Sequence, residues 1–328
     1  MGLVSLFKRF AKRIDRTQQD HLPLAVAFGV VKKFGDDNAG TLVANLAHTA
    51  FGTLFPLLLL LVTILGLVLN GHPQLRHEVL TSALDKFPII GTDLAGNIKA
   101  MKRDSVFGFV VGIGGLVWGS LSLGQTGIFT MAQVWNLPGL ERPNLPARLG
   151  RSLAFLSVLG VGLIVGTFFG AAVPAAKGTL ALAVAGGAAS AVVNFLDYLA
   201  GFRILTPAAV RLRQLVPGAA LAAIGWTVLQ SFGGFVVGHY LKNDNSLYGT
   251  FGIVLGLFAW IYLVSELTVY SAELNVVLAR RLFPRSLVQP PLTEADRSSL
   301  AAQALQNRRR PEQHVEVSFD GEAAATKV

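Results

Sequence analysis

The chain has 328 residues, 52% of them hydrophobic and only 14% charged, where a soluble globular protein carries about 25% charged residues; mean hydropathy is +0.54. The net charge of +9 does not argue for a nucleic-acid partner, because Lys and Arg cluster at the termini and between apolar stretches, as topology-setting charges do. The absence of cysteine excludes disulfides, thiolate catalysis and Cys-based metal centres.

Residues 1–41 are basic and partly amphipathic. Leu3, Phe7, Phe10 and Ile14 recur at helical spacing, with Lys8, Arg9, Lys12, Arg13 and Arg16 on the remaining face. Such a segment suits a helix lying on an anionic leaflet, or a solvated tail. A second short helix is expected over about Pro23 to Phe34, bending into the first span after Asp36-Asp37-Asn38, where N-cap residues belong. The apolar run Leu22 to Val31 contains Pro23, ends in Lys32-Lys33 and has no small-residue cleavage site, so it is not read as a cleavable signal.

Six apolar segments follow, near Leu42–Leu69, Val106–Val134, Leu149–Val173, Thr179–Leu199, Leu215–Gly238 and Tyr248–Ala279. Each reaches the roughly 20 residues that a membrane span needs. Of the 28 Lys and Arg residues, 21 fall in the two terminal segments and the alternate loops that share their side, and seven fall opposite. The positive-inside rule then puts both termini in the cytoplasm. The expected fold is all-α: a polytopic membrane bundle of six transmembrane helices over 42–282, in the cell inner (plasma) membrane. The first external loop, roughly Asn70 to Ser105, is long enough for a small helical element around Leu80, Leu84 and Phe87. Pro284, Pro290 and Pro291 end the last helix. The polar tail over 283–328, with Arg308-Arg309-Arg310, reads as disordered or only locally helical.

Small residues let helices approach closely in lipid. Gly162, Gly166 and Gly170 lie four apart on one face of the third span and mark a packing stripe. The contact is within one chain or between copies of it, which leaves a homo-oligomer open. Three acidic residues fall inside the spans: Asp197, Glu266 and Glu273. An ionisable residue in a membrane helix is a functional candidate by default. Glu266, Tyr270 and Glu273 project from one face of the last span and could line a cavity or a proton-linked path. Glu273 lies nearer the cytoplasmic end, within reach of an arginine such as Arg151. Asp197 with Asn194 reads as a local polar cluster, Gln125 and Gln230 as interhelical hydrogen bonders, and Asn45 with His48 as a packing contact. The six histidines are scattered, and no HExxH, GxxxxGK[ST] or GxSxG occurs. No metal, cofactor or catalytic residue is therefore expected.

Three blocks resemble the BrkB/YihY family of integral membrane proteins. The first is Asp36-Asp37 followed by Leu46 to Val62, where Phe55-Pro56 matches the end of a family block. The second is Val117 to Ser120, including Trp118, with Ala132 to Asn136. The third runs Tyr248 to Asn275, where Tyr248, Gly249, Trp260, Tyr262, Ala272, Glu273, Leu274 and Asn275 match. His48-Thr49 replaces the family's aromatic pair, and Ser271 replaces a glycine. The resemblance covers about residues 25–285. It implies an inner-membrane protein tied to envelope integrity, with a transporter-like role on a lipid or another envelope-related amphiphile. Membrane lipids are then the partners, and Glu266, Tyr270, Glu273 and Asn275 the candidate pathway. The alternative is a non-transporting membrane scaffold. The ribonuclease label that the family has also carried finds no chemistry in these residues.

Overall fold

The computed structural model describes residues 15–68, 106–139, 144–175, 180–236, 249–287, 289 and 291–319. Among the described residues the fold is helical, without strands. A short helix, α1 (Leu22–Asp36), starts with proline in its first turn, where the missing N–H costs nothing. Six long helices follow: α2 (Ala39–Val68), α3 (Val106–Val134), α4 (Leu145–Ala175), α5 (Leu180–Leu205), α6 (Val216–Val236) and α7 (Gly249–Arg280). They hold 21 to 32 residues each. At 1.5 Å per residue the longest is about 48 Å. Two stretches, Gly187–Leu205 and Val254–Arg280, are long and apolar enough to cross a membrane among the described residues, and a shorter apolar one runs Val216–Gln230.

Each long helix packs on its neighbours in the chain, and α7 packs back on α2. The six therefore close into a ring, with α3 also touching α5 and α7. The start of α2, the end of α3, the end of α5, the start of α6 and the end of α7 all enter one buried cluster: Ala39, Val134, Leu205, Ala219 and Val276 belong to it. Direction thus alternates around the ring, and the chain's two terminal segments meet at a single face. Away from that cluster much of the exposed helix surface is apolar. Val110, Trp118, Val161, Val192 and Ile224 are all more than half exposed, which a soluble monomer avoids over contiguous areas.

The helix ends at the terminal face stop for local reasons. Asn136 and Arg281 adopt left-handed backbone just past α3 and α7. Leu137 N–H then bonds Ala132 C=O, and Leu282 N–H bonds Val277 C=O, the pattern that satisfies the last carbonyls of a helix. Asn38, also left-handed, turns the chain from α1 into α2. Asp36 and Asp37 therefore end α1 and do not cap α2, as the sequence led us to expect.

The tail is locally helical, one of the two forms that the sequence suggested. Residues past Phe283 are not a loose strand of chain: they carry a helix, α8 (Glu294–Gln306), with Ala295, Asp296 and Ser299 buried. Thr293 caps it and Asp296 bonds back to the cap residue, two orphan groups satisfied reciprocally. Residues 1–14, the loop over 69–105 and residues 320–328 lie outside the described residues, so the amphipathic start and the external helix are not placed.

Candidate functional site

The terminal face is built around seven charged side chains from opposite ends of the sequence. α1 contributes Lys32, Lys33 and Asp36, and the turn after it Asp37. The end of α7 contributes Glu273, the segment after it Arg285, and α8 Asp296. Lys33 is fully buried. Its ammonium bonds the Val134 carbonyl at 2.7 Å, lies 2.9 Å from Glu273 Oε2 and makes a short ion pair with Asp37. Asp37 also accepts from Asn136 Nδ2 at 3.0 Å and Gln303 Nε2 at 3.0 Å. Four segments thus converge on it: α1, the α3 exit, α7 through Lys33, and α8.

Beside it sits a second group. Arg285, 1% exposed, reaches Asp296 Oδ1 at 2.6 Å through Nε and Asp36 Oδ2 at 2.5 Å through Nη2. Lys32 bonds the same Asp296 oxygen at 2.7 Å. The other oxygen of Asp296 accepts from Ser286 N–H and Oγ and from Thr293 N–H and Oγ1. Burial alone would raise the Asp296 pKa. The hydrogen bonds from Lys32, Arg285, Ser286 and Thr293 outweigh it and hold the carboxyl well below the ordinary range. Gln18, near the N-terminus, donates to the Arg285 carbonyl at 2.6 Å. Gln306 and Gln133 join α8 to α3.

The sequence-predicted residues divide. Glu273 lies at the heart of the site, but its partner is Lys33 and not Arg151. Lys33 is far away in the chain and looked like one more topology-setting charge. Tyr270 is half-buried and stacks on Phe34 of α1, ring centroids 4.1 Å apart and 7° from parallel. Glu266, a turn further from the face, is half-exposed. Asn275 is buried and accepts from the backbone N–H of Gly218 at 2.7 Å, so it satisfies a donor in the first turn of α6. Any Cβ at Gly218 would overlap the Ser271 carbonyl and the Asn275 amide.

Trp118 stands on the outer surface of α3, 77% exposed. Trp260 and Tyr262 are half-buried on α7, and Gly249 is its first residue. Phe55 and Pro56 lie in α2, with side chains outside the described set, as is Tyr248. Gly162 leaves the space taken by the Asp197 carboxylate of α5; Gly166 and Gly170 lie further along α4. Gln125 accepts from Arg148 at 2.9 Å, bridging α3 and α4, whereas Gln230 is exposed. His48 sits edge-on to Phe258.

Sequence reasoning missed Lys33, Asp37, Arg285 and Asp296. One signal was present: Thr293-Glu294-Ala295-Asp296 has the spacing of a helix start. Among the described residues no three His, Cys, Asp or Glu side chains are grouped so as to hold a metal ion.

The sequence profile of the family described as "Virulence factor BrkB" matches residues 30–294. The chain belongs to the BrkB family. It is a membrane protein. Its relatives include the inner membrane protein YhjD of Escherichia coli (strain K12), 23% identical over 74% of this chain and 77% of that one. A UPF0761 membrane protein of Xanthomonas campestris pv. campestris (strain 8004) is 26% identical over 79% of this chain and 62% of its own length. A third, the putative ribonuclease-like protein YfkH of Bacillus subtilis (strain 168), is 34% identical over 21% of this chain and 25% of its own. The chain thus spans less than two thirds of the last two. No solved structure matches it.

Proposed function

We propose that this BrkB-family protein crosses the inner membrane six times with both termini in the cytoplasm, and that it moves a lipid or another envelope-related amphiphile in a transporter-like way. The up-and-down ring of α2 to α7, its exposed apolar surface and the concentration of Lys and Arg on the terminal side support the topology. The name of the Escherichia coli relative agrees with the compartment.

One observation carries the mechanism. The terminal face of the ring is closed by ionisable side chains with almost no exposed surface, Lys33 against Glu273 and Asp37. Well-packed apolar side chains of the same volume would close it at least as stably, because charges are expensive to desolvate. Charged closure makes sense where the contact must also open. On opening, each member recovers hydration, so the open state is not penalised as a separated apolar core would be. Glu266 and Tyr270 precede Glu273 on the same face of α7 and form the headgroup path in this reading.

The test is reconstitution of the purified chain in liposomes, with labelled phospholipid followed between leaflets beside Glu266→Gln and protein-free controls. Movement that depends on the protein and falls in the mutant supports the reading. Folded protein that moves no lipid, under an imposed proton gradient as well as without one, counts against it. The scaffold alternative draws on α8, which presents a fixed cytoplasmic surface. It predicts no movement, and loss of envelope function on deleting α8.

A further inference from the structure

The two charge groups at the terminal face do not balance alike. Arg285 and Lys32 face Asp36 and Asp296, two cations against two anions. Lys33 faces both Asp37 and Glu273, one cation against two anions, with side chains 0%, 3% and 0% exposed. If all three were ionised, a net negative charge would be buried without compensation, which costs several kcal/mol even after relaxation. One bound proton removes that cost.

The hydrogen bonds decide where the proton sits. Asp37 is held by three donors: Lys33, Asn136 and Gln303. Donors stabilise the ionised carboxylate. Glu273 has the Lys33 ammonium 2.9 Å from one oxygen, but neither of its oxygens receives an aligned hydrogen bond among the described residues. The Asp37 carboxyl is also a close neighbour of Glu273, the Val134 carbonyl takes a Lys33 proton, and Val269, Val276 and Val277 of α7 belong to the buried cluster. Arg280, on the exposed side of α7, donates to the Trp135 carbonyl at 2.7 Å.

We propose that Glu273 is a proton-binding site. In the closed arrangement it carries the one proton that offsets the excess negative charge around Lys33. Opening the terminal face admits water, Glu273 ionises and one proton leaves to the cytoplasm; closure takes one up. The proton site stands on the geometry alone. Its service as the coupling ion rests on the transport reading above.

Infrared spectroscopy of the full chain in lipid discs at neutral pH tests this. The wild-type protein should show the carbonyl stretch of a protonated carboxylic acid that shifts on ¹³C labelling of glutamate, and Glu273→Gln should remove it. Asp37→Asn gives the sharper result. It removes the excess negative charge and leaves Glu273 in place, so Glu273 should ionise and its band should vanish. A wild-type protein without a glutamate-dependent band overturns the proposal, and so does a band that persists in folded Asp37→Asn. The Asp37→Asn arm decides the matter even if Glu273→Gln does not fold. Since the band does not depend on movement of any substrate, a failed transport assay leaves this result standing.

Discussion

Replacing Asp296 with Ala removes the acceptor for Lys32, Arg285, Ser286 and Thr293 together. Arg285 is 1% exposed and would keep only Asp36. Breaking a buried pair from one side typically costs about 3–5 kcal/mol, because the remaining charge stays desolvated. The half of the capping box in which the Asp296 carboxylate accepts from Thr293 is lost as well, while Thr293 still caps the helix. α8 can relax by leaving the surface, so the loss should fall mainly on docking of the tail and spare the ring. At 1.4 kcal/mol per tenfold change, the undocked fraction should rise by roughly 10²-fold to a few times 10³-fold. Trypsin reads this directly. Arg297 lies in the first turn of α8 and is cleavable only when the helix opens, whereas Arg309 and Arg310 are exposed throughout. Where opening is fast relative to cleavage, the rate follows the open population. Cleavage at Arg297 should therefore accelerate by about two orders of magnitude or more, with cleavage after Arg309 unchanged. Acceleration under about threefold would refute the idea that Asp296 anchors the tail.

The same carboxyl sets a pH limit. Its folded pKa is depressed, so its stabilisation is complete above the unfolded value near 3.9 and drains away as pH falls below that. Hydrogen exchange of the α8 amides, corrected for its intrinsic pH dependence, should show protection being lost as pH falls below about 4. On α4, Gly162→Ala drives a Cβ into the Asp197 carboxylate. It should cost about 1–3 kcal/mol, seen as a lower thermal midpoint, with much of the loss recovered in Gly162→Ala/Asp197→Ala. Asn275→Leu strands the Gly218 N–H and should cost about 1–3 kcal/mol, measurable in the same melt.

The helices were legible because apolar length is written locally: the six segments expected from hydropathy coincide with α2 to α7 within a few residues. The site was legible only in part. Periodicity placed Glu266, Tyr270 and Glu273 on one face of α7, but nothing local to α7 says that α1 lies across that face. Lys33 follows an apolar run and precedes the first span, where a topology-setting lysine also belongs, so its burial could not be read from position. The docking of the tail was not legible for a related reason. α8 is held by a buried carboxylate network and a helix cap, and so lacks the apolar face by which docked helices are usually recognised. Asn275 stood out through resemblance alone. Its work, accepting from Gly218 at the start of α6, follows from a helix crossing that no single-sequence pattern encodes.

The central claim is that the terminal face must open for the protein to work, and the cysteine-free sequence allows a direct test. A Cβ at Gly29 on α1 would lie 3.6 Å from the Cβ of Phe283 beyond α7, within the range of about 3.5–4.5 Å that a disulfide spans. The double variant Gly29→Cys/Phe283→Cys staples α1 to the end of α7 when oxidised. In liposomes it should move labelled lipid when reduced, stop when oxidised and recover on reduction. Oxidised protein, verified as fully cross-linked, that moves lipid as fast as the reduced form would contradict the account.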